Sequence, residues 1–406
     1  MNILFLSQLV PYPADAGPKV RSYRVLQHLA GAGHDITLVA FRRDEDRAEN
    51  IACLEQYCSA VHTVLMHRSR LQDLLSLIYS QLSGIPFLIH RDNATAMHQL
   101  LDKLLTQQTF DAVHADQLWM AQYALSLKSQ IGQQGCLQTV LDQHNAVFLI
   151  PQRLAADTRN RIKRAILSLE SQRLIHYEAA VCRQFDHVVW VTKEDQTAVQ
   201  QRMSPDAYPA ANERVIPICV DPREKPVIVR EKRPYRVTFL GGLHWPPNAQ
   251  GILWFARHVF PQVRAAVPDA VLTVIGKHPP MELTGEGIEV TGYVSDLQPL
   301  LAETGAFIIP LHAGGGMRVK LLDAWSWGLP VVSTTIGAEG IAFKHEENIL
   351  IADEAEAFAQ ATIRLLTEPS VAQKLAQNGR QTVLENYDWQ KTYTAWNEIY
   401  CRTANI

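Results

Sequence analysis

The sequence has little of what marks several common classes of protein. Only six of its 406 residues are cysteine, and Cys53, Cys58, Cys136, Cys182, Cys219 and Cys401 form no C-x-x-C pair. Such a spread offers neither a zinc cluster nor a small disulfide framework, so reduced thiols in a cytosolic protein are expected. Positive charge is not in excess: 38 Lys and Arg stand against 41 Asp and Glu, a formal net charge of −3. That excludes a general nucleic-acid coat, whose nonspecific affinity needs a basic surface. Long apolar runs are missing too. The most apolar stretch, Leu71–Ile89, is broken by Asp73, Ser76, Gln81, Ser83, Gly84 and Pro86, short of the roughly 20 apolar residues of a spanning helix. The opening Met-Asn-Ile-Leu-Phe-Leu-Ser has no basic flank and turns polar at Ser7 and Gln8, unlike a secretion signal. A soluble cytoplasmic protein is expected. Signatures of metal or nucleophile chemistry are absent as well: no H-E-x-x-H, no G-x-x-x-x-G-K-[ST], no G-x-S-x-G and no complete G-x-G-x-x-G.

What is present is an alternation of short apolar or β-branched runs with longer helical patterns, the signature of parallel α/β sheets. In the first half strands are expected near Ile3–Leu6, Ile36–Phe41, Ala60–Leu65, Ala112–Ala115, Thr139–Asp142 and His187–Val191. Helices are expected near Lys19–Ala32, Leu71–Leu82, Leu118–Ser129 and Arg159–Cys182. The alternation breaks at residues 203–234, which hold Pro205, Pro209, Pro217, Pro222, Pro226 and Pro234 and read as an interdomain connection. A second series starts with a strand at Tyr235–Leu240 and a helix near Ala249–Ala266. Strands at Val271–Ile275, Ile288–Thr291, Ala306–Pro310 and Pro330–Ser333 follow, with a helix near Arg318–Trp327 between the last two. Helices near Glu354–Leu366, Val371–Glu385 and Asp388–Arg402 finish the chain. Two Rossmann-like domains facing one another across a cleft are expected, ligands sitting at the carboxyl ends of the strands.

The segment Pro310–Pro330, PLHAGGGMRVKLLDAWSWGLP, carries the strongest chemical signal. Gly314, Gly315 and Gly316 separate a strand end from a helix that opens with Met317-Arg318-Val319-Lys320. Glycines let the backbone approach a ligand, and the helix N-terminus adds its dipole and unpaired N–H groups. Arg318 and Lys320 sit where the dipole disfavours cations, which suggests a bound anion such as a diphosphate. The bland alternative is a βα turn with two solvated cations. Asp323, about one turn deeper, could accept from a ribose diol or simply pair with Lys320. Gly241-Gly242 after the first strand of the second half is a phosphate-loop candidate, and Gly17, in ADAGPKVRS, holds the corresponding place in the first half; either could be only a tight turn. His114 in DAVHAD and His144 in LDQHNA fall at strand ends, where they could bind hydroxyls, transfer a proton, or merely cap the sheet.

The run GGGMRVKLLDAWSWGLPVVSTTIGAEGI resembles the donor-site signature of bacterial family-4 glycosyltransferases of the GT-B fold. MNILFLSQLVPYPADAGPKVRSYRVLQHLAGAGHDITLV resembles their N-terminal strand, glycine loop and helix, and DAVHAD, LDQHNA, HVVWVTKED, RVIPICVD and TGYVSD match further landmarks in order. The resemblance spans nearly the whole chain and points to exopolysaccharide or cell-surface glycan transferases. It implies a retaining, metal-independent transfer from a nucleotide-diphosphate sugar, with no bound cofactor, to a glycan or lipid-linked acceptor. Arg318 and Lys320 would neutralise the diphosphate, the glycine turns would bind it, and Asp323 would take the ribose. Tyr293 and Val294 would meet the base, Gly17 the transferred sugar, and His114 and His144 the sugar and acceptor. It implies an acceptor-side domain over residues 1–215, a linker over 216–234 and a nucleotide-sugar domain over 235–387, with a C-terminal helix 388–406 packing back on the first domain.

The chain departs from that pattern. Gly315 stands where the family has a Glu eight residues before the ribose carboxylate, and Asp323 is one methylene shorter than the usual Glu. Gly242 replaces an Arg, Ile218-Cys219-Val220-Asp221 replaces N-G-V-D, and Ala16-Gly17 replaces Gly-Gly. A sugar-nucleotide epimerase of similar fold and a non-catalytic sugar-nucleotide-binding protein are the alternatives. Two basic stretches, His67–Arg70 before Leu71, Leu74, Leu75, Ile78 and Leu82, and Arg153–Arg164 with Ile162, Ile166, Leu167 and Leu169, are readable as contacts with an anionic membrane surface at the inner face or as core helices with a solvated basic side.

Overall fold

Short β-rich runs pair edge to edge in parallel, and the helical segments between them serve as crossovers. The computed structural model describes residues 1–66, 68–132, 137–202, 212–230 and 235–401. Seven described strands of the first sheet are β1 (Asn2–Ser7), β2 (Asp35–Arg42), β3 (Ala60–Leu65), β4 (Ala112–Asp116), β5 (Gln138–Gln143), β6 (His187–Trp190) and β7 (Asn212–Val215). They lie in the order β3-β2-β1-β4-β5-β6-β7, all parallel, with Ile3 beside Ile36 and Phe5 beside His114. The second sheet holds β8 (Arg236–Leu240), β9 (Val271–Ile275), β10 (Ile288–Gly292), β11 (Thr304–Ile309), β12 (Val331–Ser333) and β13 (Leu350–Ile351), ordered β10-β9-β8-β11-β12-β13. Inner strands such as β1, β2 and β11 are buried along nearly their whole length, as parallel sheets with covered faces require, whereas the edge strands β7 and β10 are largely exposed.

In each sheet the strand order reverses beside the first strand, between β1 and β4 and between β8 and β11. Crossovers leave in opposite directions there, so the loops part and open a crevice at the carboxyl ends of the strands. The loop after β8 carries Gly241 and Gly242, and the loop after β11 carries Gly314 to Arg318.

The chain forms two compact units: Met1–Cys219 with Gly315–Met317 and the segment from Trp389, and Val220–Gly314 with Arg318–Asp388. Of the proline-rich connection, residues 203–211 and 231–234 lie outside the described residues. One core of the first unit gathers Leu4, Leu6, Val113, Leu141 and Trp190; another gathers Ile3, Phe5, Val25, Tyr393 and Trp396. The second unit is built on Val237, Phe239, Phe255, Val274, Ile308 and Phe358.

Several elements differ from the sequence expectation. Asp388–Arg402 is not one α-helix: Trp389–Thr392 is a single turn and Tyr393–Glu398 continues as 3₁₀ helix, with Arg402 beyond the described residues. Three residues per turn align Tyr393, Trp396 and Ile399 on one buried face. The helix expected near Ala249–Ala266 starts earlier, at Pro246, and passes through a π-helical turn at Phe255–Val259. Pro261 lies two residues beyond that turn, and its missing N–H and bulky ring account for the local widening. Gly17 opens the helix Gly17–Gly31, with Pro18 in its first turn, rather than standing in a loop. The helix Thr95–Gln107 and strands β7 and β13 went unread; β13 has only two residues, too few for an alternation to register.

Candidate functional site

At the reversal point of the second sheet, the glycine turn after β8 and the helix Val319–Ser326 after β11 are drawn together by Lys320. Its Nζ donates to Asn248 Oδ1 at 2.8 Å and lies 4.7 Å from the centre of the Phe239 ring. Asn248 in turn donates through Nδ2 to the Gly242 carbonyl at 2.8 Å. A Cβ on Gly241 would stand 2.7 Å from Lys320 Nζ, so only glycine leaves the amine its place. Lys320 is partly buried, and desolvation of its amine pushes it down to about 7, with the nearby Arg318 charge adding to the depression and Asp323 opposing it.

Arg318 occupies the N-cap of that helix and is almost fully buried. Its Nε donates to the Ile336 carbonyl at 3.2 Å, and its Nη2 stands 3.5 Å from Glu339 Oε2. Gly314 has φ +124° and Gly316 φ +72°, conformations that favour glycine, and a Cβ on Gly314 would come within 3.1 Å of the Arg318 guanidinium. Gly315, Gly316 and Met317 group with the first unit, where a Cβ on Gly316 would lie 3.4 Å from the His144 carbonyl. Two cations with little solvent, beside a glycine turn and a helix N-terminus, form a site whose own repulsion an anion would relieve.

Asp323 pairs with Lys225 rather than with Lys320, and Lys225 also lies 5.5 Å from the centre of the Trp327 ring. Trp325 is wholly buried. Tyr293 and Val294 follow edge strand β10; Tyr293 is 69% exposed, with Lys277 Nζ 4.8 Å from its ring centre. Asn248, Lys225, Glu339 and the Ile336 carbonyl were not singled out from the sequence. Only GAEG, within the resembling run, pointed towards Glu339.

The first unit holds a different cluster at its own reversal point. Arg21, from the helix after β1, makes two bonds to Asp142 at the end of β5, Nε to Oδ2 and Nη2 to Oδ1, each 2.9 Å. Arg21 Nη1 donates to the Pro217 carbonyl at 2.8 Å and to Tyr393 at 3.3 Å. Asp116 accepts from Ser7 and Ser22, each at 2.8 Å, and faces His144 Nε2 at 2.9 Å. Burial alone would lower the His144 pKa, yet Asp116 and Asp142 raise it to about 9, so His144 is a cation at neutral pH. His114 differs: its ring has no exposed surface, stacks 4.1 Å from Phe5 and meets the Tyr400 hydroxyl at 2.7 Å through Nδ1. Burial depresses it to about 4 against the pull of Asp142 and Asp116, which keeps it neutral. His114, Asp116 and Asp142 lie close enough to suggest a metal site. Their carboxylates, however, are already engaged by Arg21, His144 and two hydroxyls, which fits a protein cation better than a metal ion.

Comparison with known proteins bears on the family and the fold. Residues 17–224 match the model "Glycosyltransferase Family 4" and residues 234–368 match "Glycosyl transferases group 1". A Klebsiella pneumoniae protein described as an uncharacterized 44.6 kDa protein in the cps region is 24% identical over 97% of this chain and 98% of its own length. The Rhizobium meliloti lipopolysaccharide core biosynthesis glycosyltransferase LpsE is 25% identical over 28% of this chain and 33% of its own. Among solved structures, Anabaena HepE, crystallised with UDP and glucose, aligns with a TM-score of 0.66 at 15% identity, covering 98% of each chain.

Proposed function

The chain belongs to glycosyltransferase family 4, and on that premise we propose that it moves a sugar from a nucleotide-diphosphate sugar to a glycan or lipid-linked acceptor of surface-polysaccharide synthesis, with retention of configuration and without a metal ion. The observation that carries this reading is that two cations near enough to repel each other sit at two glycine turns, Lys320 at Gly241 and Arg318 at Gly314. As the bond between the anomeric carbon and the diphosphate oxygen breaks, negative charge grows on the leaving group. Arg318 supplies a fixed cation for it, and Lys320 supplies one once the anion has raised its pKa. Backbone N–H groups at the start of helix Val319–Ser326 add donors to the same oxygens. Asp323 accepts the ribose hydroxyls in place of Lys225, and the loop of Tyr293 and Val294 meets the base.

HepE was crystallised with UDP and with UDP-glucose, and the Klebsiella relative is described from a cps region. The first supports a sugar-nucleotide donor for this chain, and the second a surface-glycan acceptor. In the first unit, positively charged His144 is the group we assign to hydroxyl binding. His114, enclosed by Phe5, Trp396 and Tyr400, is assigned no substrate contact.

Calorimetric titration with UDP, GDP and ADP sugars, followed by turnover assays on Arg318→Ala, tests the reading. We expect one nucleotide series to bind and the variant to lose a factor of about 10²–10³ in turnover, the size found on removing a charge-stabilising donor. Undiminished turnover in that variant would rule the donor site out.

A further inference from the structure

The helix Arg70–Ser83 is well made at both ends, yet it buries almost nothing. Ser69 caps it by accepting from the Gln72 N–H at 3.2 Å, and Gly84 closes it with φ +76°. Leu71, Leu74, Leu75, Ile78 and Leu82 recur at helical spacing, the pattern of a helix seated on a core. The structure turns that stripe outward: each of these five is between 50% and 84% exposed, and Ser80 is the helix's buried residue. Tyr79 and Ile85 extend the apolar surface. This is no core helix with a solvated basic side.

A second exposed apolar row lies on the helix Arg161–Cys182, where Ile162, Ile166 and Leu169 are spaced four and three residues apart. The two elements are joined within the first unit: Arg173 donates to Ser80 at 3.2 Å and to Gln81 at 3.1 Å, and Glu170 accepts from the Phe87 and Leu88 N–H groups at 3.1 and 3.0 Å. From Arg159 to Leu169 the chain carries four cations, Arg159, Arg161, Lys163 and Arg164, and no acidic residue. All four are exposed, as is Arg70 at the start of the other helix. A local run of cations is notable in a chain whose net charge is −3.

Leucine and isoleucine left in water in this number cost free energy unless something covers them. A second copy across the same face would set like cations against each other, since a two-fold contact repeats one patch on both sides. An anionic bilayer satisfies both features: acyl chains take the apolar stripe while phosphate headgroups meet the basic rim. No described helix is long and apolar enough to cross a membrane, which fits a helix lying in the interface. We propose that the outward face of Arg70–Ser83, together with the exposed start of Arg161–Cys182, docks the protein on an anionic lipid surface. This goes beyond the donor reading and does not rest on it.

The full chain would be sedimented with vesicles of phosphatidylcholine alone and with vesicles containing about one third phosphatidylglycerol. Binding to the anionic vesicles, weakened by salt, is expected. Leu75→Gln with Ile78→Gln should weaken it about tenfold, and Arg159→Gln with Arg161→Gln about thirtyfold. These side chains are exposed, so circular dichroism and thermal unfolding should match the unsubstituted protein, and nucleotide binding in free solution should be unchanged. Equal binding to both vesicle types, or undiminished binding by either variant, overturns the proposal. So does a dimer in solution that Leu75→Gln with Ile78→Gln dissociates, because a second copy would then be the occupant.

Discussion

Lys320 and Asn248, separated by 72 residues in sequence, meet at 2.8 Å, and through that bond the Gly241-Gly242 turn and the helix Val319–Ser326 share one polar centre. Asn248 spends its oxygen on the amine and its nitrogen on the Gly242 carbonyl. Asn248→Ala therefore frees both at once. We expect a donor Kd about tenfold weaker, as for a lost hydrogen bond to a charged group, with unfolding stability changed by no more than about 1–2 kcal/mol. Calorimetry on the variant with the best-binding nucleotide sugar checks this; Asn248→Asp, which places a carboxylate near the phosphates, should weaken binding further.

The depressed amine of Lys320 has a consequence in proton uptake. Its ordinary pKa is 10.5 and its folded value about 7, so between these the unfolded chain holds the extra proton. Stability from this group therefore rises as pH climbs from about 7 towards 10.5, and is lost as pH falls through 7. A bound diphosphate should return the pKa upward, so donor binding at pH 8 takes up close to one proton. Calorimetry in buffers of different ionisation enthalpy reads that number directly. In Lys320→Met the uptake should vanish and the stability slope should flatten.

Asp323 and Lys225 form an ion pair that is partly solvated, with side-chain exposures of 20% and 25%. Such a pair contributes about 0–1 kcal/mol, so its main effect lies in binding. If Asp323 takes the ribose, Asp323→Ala should raise the donor KM about tenfold or more, whereas Lys225→Ala should leave KM within a few-fold. Asp323→Glu, which adds a methylene, should retain or lower KM. Steady-state kinetics on the three variants distinguishes a ribose acceptor from a carboxylate that only holds Lys225.

The strands and the glycine turns were legible because each rests on a local pattern. A short apolar run such as Val271–Ile275 or Ala112–Ala115, set between longer helical patterns, reads as a buried strand, and GGGMRVK joins a strand end to a helix start within a few residues. The partners of those groups were not legible. Nothing local marks Asn248 or Lys225, whose roles depend on Lys320 and Asp323 arriving from elsewhere in the fold. His114 and His144 read alike as strand-end histidines, yet one stacks on Phe5 inside the core and the other faces Asp116. The Leu71–Leu82 stripe had a helix's period, and period alone does not say which side faces water.

The buried charges of the first unit balance one another. Arg21 is held above its ordinary pKa although burial opposes it, because Asp142 faces it with two bonds. Removing one partner leaves the other charged and dry, so Arg21→Met or Asp142→Asn alone should cost about 3–5 kcal/mol. The double variant should lose clearly less than the two costs added, and urea unfolding of the four proteins measures that difference. His144 joins the same balance: its pKa is raised from 6.5 to about 9. Its stabilisation is complete below pH 6.5 and fades as pH rises through 9, opposite in slope to Lys320. Asp116→Asn should drop the His144 pKa, visible in the titration of its ring protons by NMR, and flatten the stability loss between pH 6.5 and 9. An unshifted His144 in that variant would mean that Asp116 is not what holds its charge.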